Sequence, residues 1–109
     1  MTTRTDNIEE DFNNLVPIQY GLLRTIIQEL SPTDLRVFLY LYSKFHTRRT
    51  TGMIISINTI AADSGLKRNA VIRGLNSLDA QGLLIRKKRQ SAREGNLPSH
   101  LTIPILRNL

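Results

Sequence analysis

The 109-residue sequence contains no cysteine. Its absence excludes a disulfide framework, a thiolate metal site and a cysteine nucleophile, and it suits a reducing compartment. Long apolar runs are also missing. The longest stretch without a charge, Thr50 to Ala62, is shorter than the roughly 20 apolar residues of a membrane-spanning helix. No basic and then apolar leader precedes Asp6, so we expect a cytoplasmic protein with no membrane partner.

Residues that carry catalysis are scarce. His46 and His100 have no partner at metal-ligand spacing, and we interpret both as surface residues. The carboxylates Glu9, Glu10 and Asp11 lie in a polar segment without periodic apolar positions, which cannot fix the geometry of acid–base catalysis. No glycine-rich phosphate loop or nucleophile elbow is present. The sequence predicts no enzyme, no metal and no cofactor.

Acidic residues are few beyond residue 34. Residues 1–34 hold two basic residues against six acidic ones, whereas residues 35–109 hold thirteen against three. The whole chain has a formal charge of +6 and a pI near 10.3. A basic, one-sided chain is typical of polyanion binders. All six aromatic residues precede residue 46, away from the basic stretch, so stacking on single-stranded bases is disfavoured and duplex DNA is the better ligand.

The chain divides into a flexible acidic arm, residues 1–11, and a single domain, residues 12–109. After an extended segment, a helix is predicted from residue 18 or 19 to Leu30, with Leu22, Ile26 and Ile27 on one face. The run Ser31-Pro32-Thr33-Asp34 predicts the start of a second helix. Apolar residues at helical spacing give this second helix a core-facing stripe: Leu35, Phe38, Leu39, Leu41, Tyr42 and Phe45.

The C-terminal part predicts a helix-turn-helix over residues 57–81. Met53-Ile54-Ile55 is typical of a short strand, and Ser56 caps a helix that ends at Gly65, where left-handed backbone is required. A longer helix follows from about Arg68 and is ended by Gly82. Residues 83–105 then predict a β-hairpin wing, with strands at 83–89 and 99–103 and a polar turn between them. Pro104 requires that the returning strand lies at an edge or ends there. The predicted fold is mainly α with a small β-hairpin wing.

The segment Ile54 to Lys88, IISINTIAADSGLKRNAVIRGLNSLDAQGLLIRKK, resembles winged helix-turn-helix families of bacteria, phages and plasmids. It is similar to the DNA-binding half of multiple-antibiotic-resistance-type regulators. The segment Leu30 to Val37, LSPTDLRV, looks like the helix opening of phage and plasmid replication proteins and of primosomal DnaD-like domains. Together these matches cover about residues 30–105. They imply a DNA-binding module and leave its biological role open.

The resemblance implies a role for individual residues. Ile60 and Ala61 would pack the first motif helix against the second, whose core positions match Val71, Leu75 and Leu78. Groove-facing positions match five residues of the recognition helix: Arg68, Asn69, Ile72, Arg73 and Asn76. Wing positions that contact the DNA backbone or the minor groove match five residues: Arg86, Lys87, Lys88, Arg89 and Arg93.

Two residues of the recognition helix break local rules. Lys67 stands where the family usually has Ser or Thr, and lysine cannot accept the amide hydrogens of the first turn. A DNA phosphate would satisfy those amides, and so would a neighbouring carboxylate such as Asp63. Gly74 costs about 0.8–1 kcal/mol inside a helix. It allows either a close crossing of the two motif helices or the approach of DNA or of the wing.

The sequence therefore predicts a sequence-specific duplex DNA-binding protein of the transcriptional repressor type, associated with the nucleoid. The alternatives are an accessory factor in plasmid or phage replication, segregation or conjugation, and a winged-helix protein-interaction module. One recognition helix covers few base pairs, so we expect a homodimer or an array on repeated sites. The apolar positions of residues 12–30 would supply the self-association surface or would simply cover the core, and residues 1–30 would offer a site for a partner protein.

Overall fold

The computed structural model describes residues 15–87 and 99–108. These ranges contain four helices and a small antiparallel sheet, as the sequence predicts. The helices are α1 (Tyr20–Glu29), α2 (Pro32–Thr47), α3 (Ile57–Ser64) and α4 (Arg68–Ala80). The strands are β1 (Gly52–Ile55), β2 (Ile85–Lys87) and β3 (Ser99–Thr102), and a 3₁₀ helix spans Pro104–Asn108. The predicted arm, residues 1–11, lies outside the described residues.

Helix α1 begins at Tyr20, slightly later than predicted, and two of its side chains enter the core together with Leu30, which follows its last residue. Leu22, Ile26 and Leu30 are buried. Ile27 is 58% exposed, so its predicted place on the buried face was wrong. The reason is geometric, because each residue of a helix is turned by about 100° from the one before it. Ile27 therefore points away from the direction that Ile26 faces.

Helix α2 starts where the sequence indicates and forms the centre of the core. The Ser31 side chain accepts a hydrogen bond from the Asp34 amide at 3.1 Å, and proline occupies the first turn. Four members of the predicted stripe are buried: Phe38, Leu41, Tyr42 and Phe45. Leu35 is half-buried, and Leu39 is 38% exposed. Val37, which the predicted stripe omits, is fully buried.

The segment before α1 is fastened to α2. The Tyr42 hydroxyl donates a hydrogen bond to the Pro17 carbonyl oxygen at 2.9 Å. Because α1 contributes Leu22 and Ile26 to the core and Leu30 follows at its C-terminal end, part of the apolar content of residues 12–30 covers the core of the same chain. Leu15, Tyr20 and Ile27 remain exposed on this side of the molecule.

The two motif helices are delimited by the residues that the sequence indicates. Ser56 accepts a hydrogen bond from the Thr59 amide at 3.0 Å and caps α3. Gly65 follows α3 in left-handed conformation, at φ 74°, and Gly82 follows α4 at φ 78°. The predicted core residues Ile60, Val71, Leu75 and Leu78 are buried, and Leu66 packs against the core.

The sheet has the strand order β1-β3-β2 with both pairs antiparallel. Strand β3 is therefore central, and it ends at Thr102, two residues before Pro104, as the missing amide of proline requires. Strand β2 begins at Ile85, two residues later than the predicted strand over residues 83–89, whose last two residues lie outside the described residues. The predicted polar turn, residues 90–98, is outside the described residues. No helix within residues 15–87 and 99–108 is long and apolar enough to cross a membrane.

Candidate nucleic-acid interface

Helix α4 has one buried face and one exposed polar face. Its buried residues are Val71, Gly74, Leu75 and Leu78. The predicted groove-facing residues Arg68, Asn69, Arg73 and Asn76 are exposed, and Ile72 is half-buried beside them. Spacings of three and four residues place Asn69, Ile72, Arg73 and Asn76 on one stripe of the helix. The stripe presents one arginine, two asparagines and the half-buried Ile72.

The N-terminus of α4 has no side-chain cap. Lys67 occupies the cap position and its side chain makes no capping hydrogen bond, and the first turn of α4 holds no acidic residue. The alternative acceptor suggested by the sequence, Asp63, is engaged elsewhere: it accepts a hydrogen bond from the Tyr40 hydroxyl at 2.6 Å. Amide hydrogens at this helix end are therefore left without a side-chain acceptor from these residues, beside two positive charges.

The Tyr40–Asp63 contact joins α2 to α3 and includes Lys44. The Lys44 ammonium lies 3.5 Å from the Asp63 carboxylate and 3.2 Å from the Tyr40 hydroxyl. The hydrogen bond from Tyr40 holds the pKa of Asp63 below its usual value. Burial, together with that hydrogen bond and the nearby carboxylate, raises the pKa of Tyr40. This network fixes the first motif helix on α2.

Arg68 is held by the first motif helix. Its Nη1 donates a hydrogen bond to Oδ1 of Asn58, in the first turn of α3, at 3.0 Å. The contact ties the guanidinium to the turn side of the motif, close to the uncapped end of α4. This position suits a phosphate contact better than the base reading that the resemblance implies. Asn69 and Arg73 make no side-chain hydrogen bond to another described residue.

Arg86 is tied to the recognition helix. Its Nη1 donates to Oδ1 of Asn76 at 2.9 Å, and its Nε donates to the Ser99 hydroxyl at 3.3 Å. The guanidinium thus joins α4, β2 and β3 at the base of the wing. Lys87 is exposed on the next position of β2. The other predicted wing contacts, Lys88, Arg89 and Arg93, lie outside the described residues.

Gly74 lets α4 approach α2 closely. A Cβ atom at this position would lie 3.0 Å from Cγ2 of Val37 and 3.7 Å from Oδ1 of Asp34. The glycine therefore serves close helix packing, and the neighbour is α2, whereas the sequence suggested the first motif helix. The same two helices share a polar contact, because the Ser77 hydroxyl donates to Oδ2 of the buried Asp34.

The sequence alone does not identify two residues that position the site, Asn58 and Ser99. Asn58 lies ten residues before Arg68, and only the three-dimensional turn brings the pair together. Ser99 carries a weak signal: alternation along β3 places it on the inner face with Leu101, and a polar residue among buried apolar ones needs a partner. The described residues contain no cluster of three metal-ligating side chains.

Comparison with known proteins agrees with this arrangement. A family model described as "Helix-turn-helix domain" matches residues 28–84, just over half of the chain. The chain belongs to the helix-turn-helix domain family. The matched residues include α2, α3, α4 and the first two residues of the predicted wing. Membership of this family implies DNA binding. The narrower resemblances to antibiotic-resistance-type regulators and to replication proteins stay predictions.

The fold is similar to that of a solved structure. It is a "Possible transcriptional regulator" from Methanosarcina mazei Go1, with a TM-score of 0.55 at 17% identity. The similarity covers 79% of this chain and 71% of that one. At this identity the likeness bears on the fold alone. The search of curated proteins found no match.

Proposed function

We propose that this protein is a sequence-specific duplex DNA-binding regulator of the repressor type, which acts on the nucleoid by occupying its site. The observation that carries the proposal is the exposed stripe of Asn69, Ile72, Arg73 and Asn76 on α4, beside the uncapped helix end at Lys67. In the helix-turn-helix mode, such a helix enters the major groove and its side chains reach base edges.

Three residues of the stripe have base partners that suit their chemistry. Arg73 would donate to the O6 and N7 atoms of guanine, Asn69 would pair with adenine, and Ile72 would contact a thymine methyl group. Arg68 and Lys67 would hold a phosphate at the start of α4, where the helix dipole also favours an anion. Lys87, with Lys88, Arg89 and Arg93 further along the wing, would contact phosphates or the minor groove.

A single recognition helix reads few base pairs, so the proposal includes a homodimer or an array on repeated sites. The exposed side chains of Leu15, Tyr20 and Ile27 support a role of the α1 side in self-association. Because α1 also packs against the core of its own chain, less of its apolar surface is left for self-association. Analytical ultracentrifugation with and without DNA would measure the assembly directly.

The first test is the mode of binding. Affinity for a mixed-sequence duplex and for a single strand of the same length is measured as salt rises from 50 to 300 mM. The proposal expects tighter binding to the duplex and a log–log slope of several units, since each neutralised phosphate contributes about 0.9. Equal or tighter binding to the single strand, or no binding to either, would contradict it. A protein-interaction module would show no binding to either nucleic acid.

A further inference from the structure

The contact between Arg86 and Asn76 determines which atoms of the asparagine amide can face DNA. Arg86 pairs with Leu101 of β3, so it lies on the inner face of the sheet, where it is half-buried. Its guanidinium donates through Nη1 to Asn76 and through Nε to Ser99. Ser99 is itself buried, 7% exposed, so one of the two anchors is shielded from solvent.

The chemistry of arginine fixes the orientation of the amide. A guanidinium carries donors only, so the Asn76 atom that faces it is the oxygen, Oδ1. The amide group is planar, and its two Nδ2 hydrogens then point away from Arg86 on the exposed side of α4. The held oxygen has one lone pair engaged at 2.9 Å by a charged donor, which is the stronger class of hydrogen bond.

This orientation conflicts with the usual pairing of asparagine with adenine. That pairing needs both ends of the amide, with the oxygen accepting from N6 and the nitrogen donating to N7. An amide whose oxygen is turned toward the wing, with one of its two lone pairs held by a charged donor, presents its two donors to the groove. Donors match the acceptors of guanine, O6 and N7, or the O4 atom of thymine.

We infer that Arg86 is a positioning residue that sets the base preference of Asn76, so that Asn76 reads a hydrogen-bond acceptor and discriminates against adenine. This inference rests on the proposed function and narrows it. It also changes the expected role of Arg86 from a phosphate contact on the wing to a clamp between the wing and the recognition helix. Lys87, next to it on β2 and exposed, keeps the role of phosphate contact.

The test compares binding sites selected from a random duplex pool by the wild type and by five variants. Arg86→Ala frees the oxygen of Asn76 and should shift one position of the selected site toward adenine, by about 5- to 150-fold in relative affinity. Arg86→Lys keeps one donor for Oδ1 and should retain the wild-type preference. Asn76→Ala should lose the base preference at that position. In the Asn76→Ala background, Arg86→Ala should cause no further change in the base preference there.

Lys87→Ala is the matched control, because it removes a neighbouring charge from the outer side of the same strand. It should weaken all duplexes alike and leave every base preference unchanged. If Arg86→Ala behaves like Lys87→Ala, Arg86 is a phosphate contact and the inference is overturned. An adenine at the Asn76-dependent position of the wild-type site would overturn it as well. A wild type that selects no site would refute the proposed function, and with it this inference.

NMR of the free protein tests whether the hydrogen bond between Arg86 and Asn76 forms, independently of its effect on base preference. In the free protein, the Nδ2 resonances of Asn76 should shift on Arg86→Ala, and the Nε–H signal of Arg86 should exchange slowly with water. Ser99→Ala should speed that exchange. Unchanged Asn76 resonances in a folded Arg86→Ala variant would show that the clamp does not form, and the inference would fail whatever the DNA preference.

Discussion

Replacing Gly74 by alanine has two opposing effects on the free energy of unfolding, one from helix propensity and one from packing. Alanine removes the helix penalty of glycine, a gain of about 0.8–1 kcal/mol. The added methyl carbon would lie 3.0 Å from Cγ2 of Val37, closer than the 3.5–4.0 Å that is optimal between carbon atoms. Val37 is fully buried and β-branched, so it cannot rotate away without strain. Overpacking of a well-packed core costs about 1–3 kcal/mol. We expect Gly74→Ala to lower the free energy of unfolding by about 1 kcal/mol.

Gly21 provides the matched control on the same chain. It lies in α1, it is exposed, and an added Cβ would meet no atom within 4 Å. Gly21→Ala should therefore raise the free energy of unfolding by up to about 1 kcal/mol. Urea titration and thermal denaturation measure both variants, and 1 kcal/mol corresponds to about 4–8 °C in Tm for a domain near this size.

Relief of the clash gives a second check. In a Val37→Ala background the contact is removed, so Gly74→Ala should become stabilising by about the helix-propensity gain. If Gly74→Ala stabilises the wild-type protein as Gly21→Ala does, the reasoning about close packing between α2 and α4 is refuted. A change of sign between the two backgrounds is the result that supports it.

Three further predictions concern the site and its support. Arg73→Ala should reduce discrimination between selected and random duplex by about 5- to 150-fold, and equal losses on both would contradict its role as a base reader. Lys88→Ala should weaken all duplexes alike and reduce the salt slope by about one unit; an unchanged slope would exclude a phosphate contact. Tyr40→Phe should reduce the loss of stability that urea titrations show above pH 10 and below pH 4. A pH profile identical to that of the wild type would contradict the role of the Tyr40–Asp63 pair.

The signs in the Tyr40 prediction follow from the two pKa shifts. The pKa of Tyr40 is raised above its ordinary value of 10.0, so the fold favours the neutral phenol and loses stability as pH rises past that value. The pKa of Asp63 is lowered from its ordinary value of 3.8, so the carboxylate adds stability above that value and loses it as pH falls through the folded pKa. Asp63 is exposed, which limits the acid-side effect.

Local signals determined the elements. The Ser31 and Ser56 caps and the left-handed glycines Gly65 and Gly82 act within one turn of chain, and each lies where the sequence indicates. The buried face of α4 follows from periodicity alone. Ile27 lies outside the buried face of α1 although it is apolar and follows the buried Ile26. Helical periodicity sets the direction of the buried face only to within about one residue.

Contacts between residues far apart in the chain could not be predicted from the sequence. That Gly74 faces Val37, that Arg68 bonds to Asn58 and that Arg86 bonds to Asn76 depend on how the elements pack. No spacing rule links these pairs, because helical and strand periods describe neighbours within one element. The composition of the site was predictable, whereas the division of its residues into base readers, phosphate contacts and positioning residues required the geometry.

The most direct test of the account is selection of binding sites from a random duplex pool by the purified protein at moderate salt. We expect enrichment of an inverted or direct repeat, whose half-site spacing reports the symmetry of the assembly. A site in the protein's own promoter would support the repressor role, and an array beside a replication or partition locus would support the accessory role. Binding that weakens with salt but enriches no sequence would contradict base recognition by the stripe on α4.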